Sequence, residues 1–370
     1  MQTHLTKGTF GVSTKDEKKV MTEFGVRDIR EVADSLEPKL LHKYLRRGIM
    51  FGHTDAGKVF KAIKDRSSFA IMTGLKPTGP YHIGSLMTCN EVLFFQSLGG
   101  KVFLCVADME AYLNNGVSLE EGHKTAIDNI ADILALGLAD NGVYIYKQSE
   151  EPIVLRLAAQ FSSNVTYNMM KGIFGEHSFG VYQSALIQAG DILLPQLDEF
   201  CGPLPTITPV GLDQAPHSRL TRDIAQKREY QKQFQFVMPS FTFHRLIGGL
   251  DGSEKMSKHT GEELTLTLSD DEQSLSNKIA TIFSGGRATK KEQLKCGGQP
   301  EKCRVFDLFN CFFMERDQEL EKRYTDCKAG AILCGECKQD LYERAMRFIE
   351  THQMKKEGMI DHAKQILERE

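Results

Sequence analysis

The sequence lacks any apolar run approaching the ~20 residues that a helix needs to span a bilayer, which argues against a helical membrane protein. Its first ten residues, MQTHLTKGTF, also lack the apolar stretch of a secretory signal peptide. Internal repeats and low-complexity segments are absent as well. We therefore expect a soluble, cytoplasmic protein that makes no membrane contact.

Neither sign of charge predominates, and the formal net charge is only −3. Bulk charge therefore does not indicate a nucleic-acid partner, and any RNA contact must come from local basic patches. Tryptophan is also absent, which places no constraint on the ligands. The 370 residues are 41% hydrophobic and 26% charged, as in a soluble globular protein long enough for two domains.

The pattern of apolar residues divides the chain into three regions. Residues 1–66 are polar and predict an N-terminal helical extension. Residues 67–260 alternate strand-like runs, such as SSFAIMTG and KVFLCVADM, with amphipathic helices, the pattern of a Rossmann-like, doubly wound parallel sheet. Residues 261–370 are charge-rich and predict a helical domain. The fold class is therefore α/β with a C-terminal helical domain.

The first motif is a turn rich in Gly and Pro that follows the first strand of the middle region. It reads Thr73-Gly74-Leu75-Lys76-Pro77-Thr78-Gly79-Pro80-Tyr81-His82-Ile83-Gly84-Ser85. Ligands bind at the carboxyl ends of parallel strands, glycines allow close approach of the backbone, and a helix N-terminus favours negative charge. An isolated His-Ile-Gly would be an ordinary strand–turn–helix, but this context predicts a phosphate or nucleotide site.

The second motif is a polar loop about 170 residues later, Leu250-Asp251-Gly252-Ser253-Glu254-Lys255-Met256-Ser257-Lys258-His259. Taken alone it would be a solvated charge run. Two lysines on a closing loop can also neutralise the charge that develops on ATP phosphates and leaving pyrophosphate.

Together the two motifs resemble the paired signatures of the class I aminoacyl-tRNA synthetases. Ser85 stands where the first signature ends in His, and His259 stands where the second ends in Ser. The resemblance implies Mg²⁺ and ATP as reactants. It assigns His82, Gly84, Lys255 and Lys258 to catalysis, and it assigns ATP binding to a larger set that comprises Thr73, Gly74, His82, Gly84, Ser85, Gly211, Asp213, Lys255, Met256 and Ser257.

Two further stretches indicate an aromatic amino acid as the other substrate. Gln188 and Asp191 are spaced i, i+3 and so share a helix face, where a carboxylate could accept an indole N–H or a phenol O–H. Gly211-Leu212-Asp213-Gln214 leads into Arg219-Leu220-Thr221-Arg222-Asp223. These stretches resemble both tryptophanyl and tyrosyl-tRNA synthetases, and the Arg-Leu-Thr-Arg-Asp run favours the tryptophanyl family.

Three other segments resemble the archaeal and eukaryotic cytosolic branch of that family: 164–168, 171–175 and 283–287. The resemblance covers about residues 45–350 and implies L-tryptophan and tRNA(Trp) as substrates, a homodimer, and an anticodon-binding role for the C-terminal helices. It places Met72, Glu110, Gln188, Asp191 and Gln214 in the amino-acid pocket. Met72 and Cys105 replace a Tyr and a Gln of that branch, and Asp191 resembles the bacterial enzymes. A tyrosyl-tRNA synthetase and a non-catalytic, synthetase-like RNA-binding protein remain alternatives.

The cysteines are unevenly distributed. Five of the nine lie between Cys296 and Cys334, and Cys337 follows directly, a distribution that does not match a secreted disulfide framework. Cys303, Cys327, Cys334 and Cys337 follow the spacing C-x23-C-x6-C-x2-C, which suits zinc or an iron–sulfur cluster, although four unconnected thiols would give the same count. Some tryptophanyl-tRNA synthetases carry a [4Fe–4S] cluster on a similar spacing, which implies the cluster here.

Overall fold

The computed structural model describes residues 21–253 and 264–368. The strands of these residues are β1 (Arg27–Asp28), β2 (Met50–Thr54), β3 (Ala70–Leu75), β4 (Lys101–Val106), β5 (Val143–Lys147), β6 (Thr206–Gly211) and β7 (Ser240–His244). They form one sheet in the order β1-β2-β7-β6-β3-β4-β5. The five strands from β7 to β5 are parallel, whereas β2 is antiparallel to β7 and β1 to β2. The predicted Rossmann-like α/β fold is confirmed.

Helices cover the sheet and continue after its last strand. Up to β7 they are α1 (Arg30–Ala33), α2 (Lys43–Arg46), α3 (Gly57–Asp65), α4 (Ile83–Ser97), α5 (Asp108–Asn115), α6 (Leu119–Ala135), α7 (Pro152–Ser162), α8 (Tyr167–Phe174), α9 (Phe179–Leu193), α10 (Ala215–Ala225) and α11 (Arg228–Phe234). After β7 they are α12 (Glu272–Thr281), α13 (Lys290–Cys296), α14 (Arg304–Leu308), α15 (Asp317–Lys328), α16 (Cys334–Glu357) and α17 (Ile360–Leu367). Across the described ranges, no helix is both long and apolar enough to cross a membrane.

The central strands are buried on both faces because helices cover each side. In β4, Val102, Leu104 and Val106 belong to one hydrophobic cluster, and Phe103 and Cys105 belong to the other. Successive side chains of a strand point to opposite faces, and this alternation explains why a buried parallel strand appears in the sequence as an unbroken apolar run.

The segment predicted as a helical N-terminal extension is helical only in part. Its described residues include α1, α2 and α3, but also β1 and β2, which extend the sheet beyond β7. The prediction missed these strands because they are short and pair antiparallel at the edge. A Cβ at Gly52 would lie 2.4 Å from Cγ1 of Val26, so β2 also needs a residue without a side chain at the point where it meets its neighbour.

The C-terminal helices pack on the same hydrophobic cluster as one face of the sheet, with Leu341, Ala345 and Ile349 of α16 among its members. A buried ionic contact joins α16 to α6, where the carboxylate of Asp132 accepts from Nε2 of His352 at 2.7 Å and from Nζ of Lys356 at 3.0 Å. The helical character predicted for this region is present. The domain boundary between residues 260 and 261 stays a prediction.

Candidate active site

The first motif lies at the carboxyl end of β3, in the middle of the sheet. Thr73 and Gly74 are the fourth and fifth residues of β3, and the turn that follows leads to α4. A cavity of about 340 Å³ opens beside this turn and is lined by Thr73, Gly74, His82 and Ser85 among others. The sequence prediction of a ligand site at this strand end therefore corresponds to an actual crevice.

His82 is the N-cap residue of α4. Its Nδ1 accepts a hydrogen bond from the backbone N–H of Ser85 at 3.2 Å, and Oγ of Ser85 lies 3.2 Å from its Nε2. A Cβ at Gly84 would approach Nδ1 of His82 to 2.9 Å, so the glycine leaves room for the imidazole. The cap fixes the ring at the helix N-terminus, where the backbone N–H groups favour an anion.

Gly211 ends β6, next to β3 in the sheet, and Asp213 follows in a short helical turn. A Cβ at Gly211 would lie 2.7 Å from Oδ1 of Asp213 and 2.8 Å from Cδ2 of Leu246. Asp213 is exposed at this strand end. The nucleotide-binding roles that the sequence assigned to these two residues stay predictions.

The second motif falls mostly on residues 254–263, so Lys255, Met256, Ser257, Lys258 and His259 lie outside the described residues. The residues on either side of this segment are described by the structure. The chain after it runs beside the first motif, because N–H of Ile83 donates to the carbonyl of Leu266 at 2.9 Å and N–H of Leu268 donates to the carbonyl of Tyr81 at 2.9 Å. The segment that directly follows residues 251–263, which we call the lysine loop, is thus bonded to the start of α4, where His82 lies.

A second cavity, of about 210 Å³, adjoins the first and shares Thr73 and Gly74 with it. Its lining includes all five residues that the sequence placed in the amino-acid pocket: Met72, Glu110, Gln188, Asp191 and Gln214. Cys105 and Gly211 also line it. The structure therefore brings together residues from β3, β4, α5, α9 and the turn after β6.

Asp191 is the buried carboxylate of this second cavity, with 2% of its surface exposed. Oδ1 accepts from the hydroxyl of Tyr146 at 2.8 Å, and Oδ2 accepts from Nε2 of Gln148 at 2.7 Å. Burial raises the pKa of Asp191 to about 7, and these two donors oppose the rise because they stabilise the ionised form. The group therefore changes charge near neutral pH.

Sequence reasoning missed three residues of this pocket. Tyr146 and Gln148 hold Asp191, and Nζ of Lys76 forms an ion pair with Oε1 of Glu110 at 2.9 Å. Tyr146 and Gln148 come from the end of β5 and the turn after it, 43 to 45 residues before Asp191, and no local pattern links them to it. Lys76 lies inside the first motif, and its positive charge is the feature of the sequence that could have indicated its place in the site.

The four cysteines predicted to bind a metal line one cavity in the C-terminal region, together with Arg323. A Cβ at Gly286 would lie 2.6 Å from Sγ of Cys334, and one at Gly298 would lie 2.7 Å from Sγ of Cys327. Burial raises the pKa of Cys327 to about 12, so this thiol is neutral unless a cation displaces its proton. In the described ranges, however, no three His, Cys, Asp or Glu side chains are arranged as a set of metal ligands.

Comparison with known proteins agrees with this geometry. The family model for class I tRNA synthetases (W and Y) matches residues 64–350. A tryptophan–tRNA ligase of Methanocaldococcus jannaschii is 37% identical over 95% of both chains, and one of Aeropyrum pernix is 38% identical over 94% of this chain and 93% of its own. The crystal structure of the tryptophanyl-tRNA synthetase from Aeropyrum pernix superposes with a TM-score of 0.90, covering 96% of this chain and 97% of its own. That of Plasmodium falciparum, 26% identical over 94% of both chains, superposes with a TM-score of 0.83. The chain therefore belongs to the class I tRNA synthetases of the W and Y group.

Proposed function

We propose that the chain joins L-tryptophan to tRNA(Trp) through a tryptophanyl-adenylate. The observation that carries this is the pair of adjoining cavities at the carboxyl ends of β3, β4 and β6, one beside the capped His82 and the other around the buried Asp191. The names of the related proteins favour tryptophan, and neither the tyrosyl alternative nor a non-catalytic RNA-binding role is favoured.

The reaction has two steps. The tryptophan carboxylate attacks the α-phosphorus of Mg²⁺–ATP, the bond to the bridging oxygen breaks, and pyrophosphate leaves. A ribose hydroxyl of the terminal adenosine of the tRNA then attacks the activated carbonyl and releases AMP. Charge builds on phosphate oxygens in the first step, so catalysis rests on positioning and electrostatic stabilisation.

On the nucleotide side, His82 and Gly84 present the N-terminus of α4 to the phosphates, and Lys255 and Lys258 supply positive charge from the loop. Thr73, Gly74 and Ser85 shape the cavity wall, and Gly211 allows close approach of the nucleotide while Asp213 accepts from its ribose. Met256 and Ser257 belong to the same loop. The role of His82 rests on its capping geometry, and those of Gly84 and Gly211 rest on the close contacts that a side chain there would make. The roles of Lys255, Met256, Ser257 and Lys258 rest on the resemblance of the second motif to the class I signature.

On the amino-acid side, Asp191 accepts the indole N–H and Met72 gives an apolar wall. The amides of Gln188 and Gln214 lie 3.2 Å apart, Nε2 to Oε1, and provide polar groups for the substrate amine and carboxylate. Glu110 lines the same cavity, and its carboxylate, which pairs with Lys76, can also accept from the substrate ammonium group.

The direct test is ATP–pyrophosphate exchange with each amino acid, followed by charging of tRNA(Trp). We expect exchange with tryptophan and little with tyrosine at equal concentration. Exchange that depends on tyrosine instead would reassign the substrate, and no exchange with any amino acid would support the non-catalytic alternative.

The pKa of Asp191 predicts a pH dependence of tryptophan binding. An ionised carboxylate accepts a hydrogen bond more strongly than a neutral one, so the dissociation constant for tryptophan should rise as pH falls from 8 to 6 through about 7. The same raised pKa makes the folded free protein hold this proton more tightly than the unfolded chain, so the contribution of Asp191 to stability falls as pH rises from about 4 to 7. Titration calorimetry at each pH measures the dissociation constant for tryptophan in the wild type and in Asp191→Asn. If the dissociation constant of the variant changes with pH as that of the wild type does, Asp191 is excluded as the source of the pH dependence.

We also propose that Cys303, Cys327, Cys334 and Cys337 hold a [4Fe–4S] cluster or a zinc ion. Their convergence on one cavity and the absence of side chains at Gly286 and Gly298 support this, since both glycines leave space beside a thiol. With four protein ligands a metal here would have no open position and would stabilise the fold or assist tRNA recognition.

Loss of one of these thiols should separate the two half-reactions. Cys334→Ser is expected to lose the metal and impair tRNA charging, while tryptophan-dependent exchange largely persists, because Cys334 lies at the start of α16 and lines neither of the two active-site cavities. The matched control is Cys296→Ser, an exposed cysteine of the same region. Elemental analysis of anaerobically purified protein that finds neither iron nor zinc would contradict the site, and zinc alone would exclude the cluster.

The remaining proposals concern assembly and location. The resemblance supports a homodimer, a cytoplasmic location, and anticodon binding by the helices that follow residue 260. Light scattering of the purified protein tests the dimer. Charging of tRNA(Trp) with altered anticodon bases tests the helical region, where we expect a loss of charging without a loss of exchange.

A further inference from the structure

The two ends of the lysine loop are fastened to each other. The backbone N–H of Leu250 donates to the carbonyl of Leu264 at 3.2 Å, so the two residues that flank the segment 251–263 are bonded to each other. At the start of this segment, Gly249 N–H donates to the carbonyl of Ser253 at 3.0 Å, and Gly252 N–H donates to the carbonyl of Gly249 at 3.0 Å. The base of the loop is therefore a tight turn that ends two residues before Lys255.

Arg304, the first residue of α14, binds this turn through hydrogen bonds from its guanidinium to backbone carbonyls. Its Nη2 donates to the carbonyl of Gly252 at 3.0 Å and to the carbonyl of Ser253 at 2.9 Å, and its Nη1 pairs with Oδ2 of Asp307 at 2.8 Å. A charged donor shared by two carbonyls makes stronger hydrogen bonds than a neutral one. Asp307, one turn later on the same helix, holds the other side of the guanidinium.

The backbone around the guanidinium of Arg304 leaves the space that this group occupies. A Cβ at Gly248 would lie 2.2 Å from Cζ of Arg304, so a side chain there would displace it. The backbone of Arg304 is tied to the same turn through Phe283, because N–H of Arg304 donates to the carbonyl of Phe283 at 3.2 Å and N–H of Phe283 donates to the carbonyl of Leu250 at 2.7 Å. Two independent connections thus join α14 to the base of the lysine loop.

We infer that Arg304 is a positioning residue for the lysine loop. By holding the carbonyls of Gly252 and Ser253, it fixes the turn from which the chain enters the lysine loop, and the rate of the step assigned to Lys255 should depend on that turn. It acts through the backbone and has no need to touch the nucleotide. This inference rests on the proposed function, since it assigns Lys255 to the developing phosphate charge.

Kinetics of Arg304→Ala test the inference. A small misplacement of a catalytic group can reduce a rate by about 100-fold, so we expect kcat of tryptophan-dependent exchange to fall on that scale while KM for tryptophan changes less than about twofold. Arg304→Lys can offer an ammonium to one carbonyl at a time and should restore part of the rate. Lys302→Ala, which removes an exposed positive charge two residues away, is the matched control and should keep the wild-type rate.

A second measurement, limited proteolysis with trypsin, tests the lysine loop directly. Trypsin cleaves after Lys255 and Lys258, and we expect faster cleavage at both in Arg304→Ala, with weaker protection by Mg²⁺–ATP than in the wild type. An unchanged kcat and an unchanged cleavage pattern in a folded Arg304→Ala protein would overturn the inference. If that variant does not fold, Arg304→Lys and Asp307→Asn decide. The first replaces the guanidinium by an ammonium, and the second removes the charge that holds Nη1 of Arg304, so wild-type rates in both would overturn the inference.

The two proposals fail in distinguishable ways. A wild-type chain without tryptophan-dependent exchange would remove the proposed function, whereas trypsin cleavage would still report whether Arg304 holds the loop. An active wild type with an inactive Lys255→Ala and a fully active Arg304→Ala would keep the function and remove the positioning role.

Discussion

Lys255→Ala is expected to reduce the single-turnover rate of adenylate formation by roughly 100-fold, with only a small change in tryptophan binding. Loss of one charged contact to the transition state costs about 3 kcal/mol in the activation barrier, and the charge of Lys255 matters most as pyrophosphate begins to leave. Rapid-quench measurement of adenylate formation at saturating ATP and tryptophan checks this, and calorimetry gives the affinity for tryptophan.

The control for this prediction is Lys290→Ala, which removes an exposed lysine at the start of α13, away from the two cavities. It should keep the wild-type rate. An adenylation rate in Lys255→Ala equal to that of the wild type would mean that Lys255 does not act on the reacting phosphates, and Lys258 would then be the residue to test.

Asp191→Ala should raise the tryptophan requirement and leave the ATP requirement nearly unchanged. The substitution removes the acceptor of the indole N–H and also deprives the hydroxyl of Tyr146 and the amide of Gln148 of their partner. An unpaired buried polar group costs about 1–3 kcal/mol, which corresponds to a rise in KM for tryptophan of roughly 5- to 150-fold.

Two comparisons make this measurement specific. Asp198→Ala removes an exposed carboxylate shortly after α9 and should leave both KM values unchanged. If Asp191→Ala instead raises the KM values for ATP and tryptophan equally, the carboxylate supports the fold of the site and does not contact the amino acid.

The sequence predicted those parts of the site that local chemistry determines. Gly84 is required by its close contact with His82, two residues earlier, and His82 caps the helix that its own turn begins. Such features depend on a few consecutive residues. The alternation of apolar runs with helical patterns likewise predicted the parallel part of the sheet, because a buried parallel strand and its crossover helix leave distinct periodicities.

What the sequence could not predict depends on contacts between distant segments. Tyr146 and Gln148 reach Asp191 only because β5 and α9 pack together in the folded chain, and Arg304 reaches Ser253 across about 50 residues. The edge strands β1 and β2 were missed for the same reason, since β2 pairs antiparallel with the distant strand β7 and β1 pairs antiparallel with β2. The spacing of the four cysteines predicted that they lie together in the folded chain, but it did not predict how their thiols are arranged.

The contact between Asp132 and α16 bears on whether the catalytic half of this chain can exist alone. Asp132 has 1% of its side chain exposed, and His352 and Lys356 are its basic partners from α16. A chain shortened before residue 352 would remove both partners of that carboxylate, the end of α16 and all of α17, and it would expose to water the apolar side chains of α6 on which these helices pack. Exposure of apolar surface costs about 25 cal/mol per Å². A minimal, tRNA-independent activating enzyme made from this protein would therefore need polar residues on that face of α6 before it needed any change at its active site.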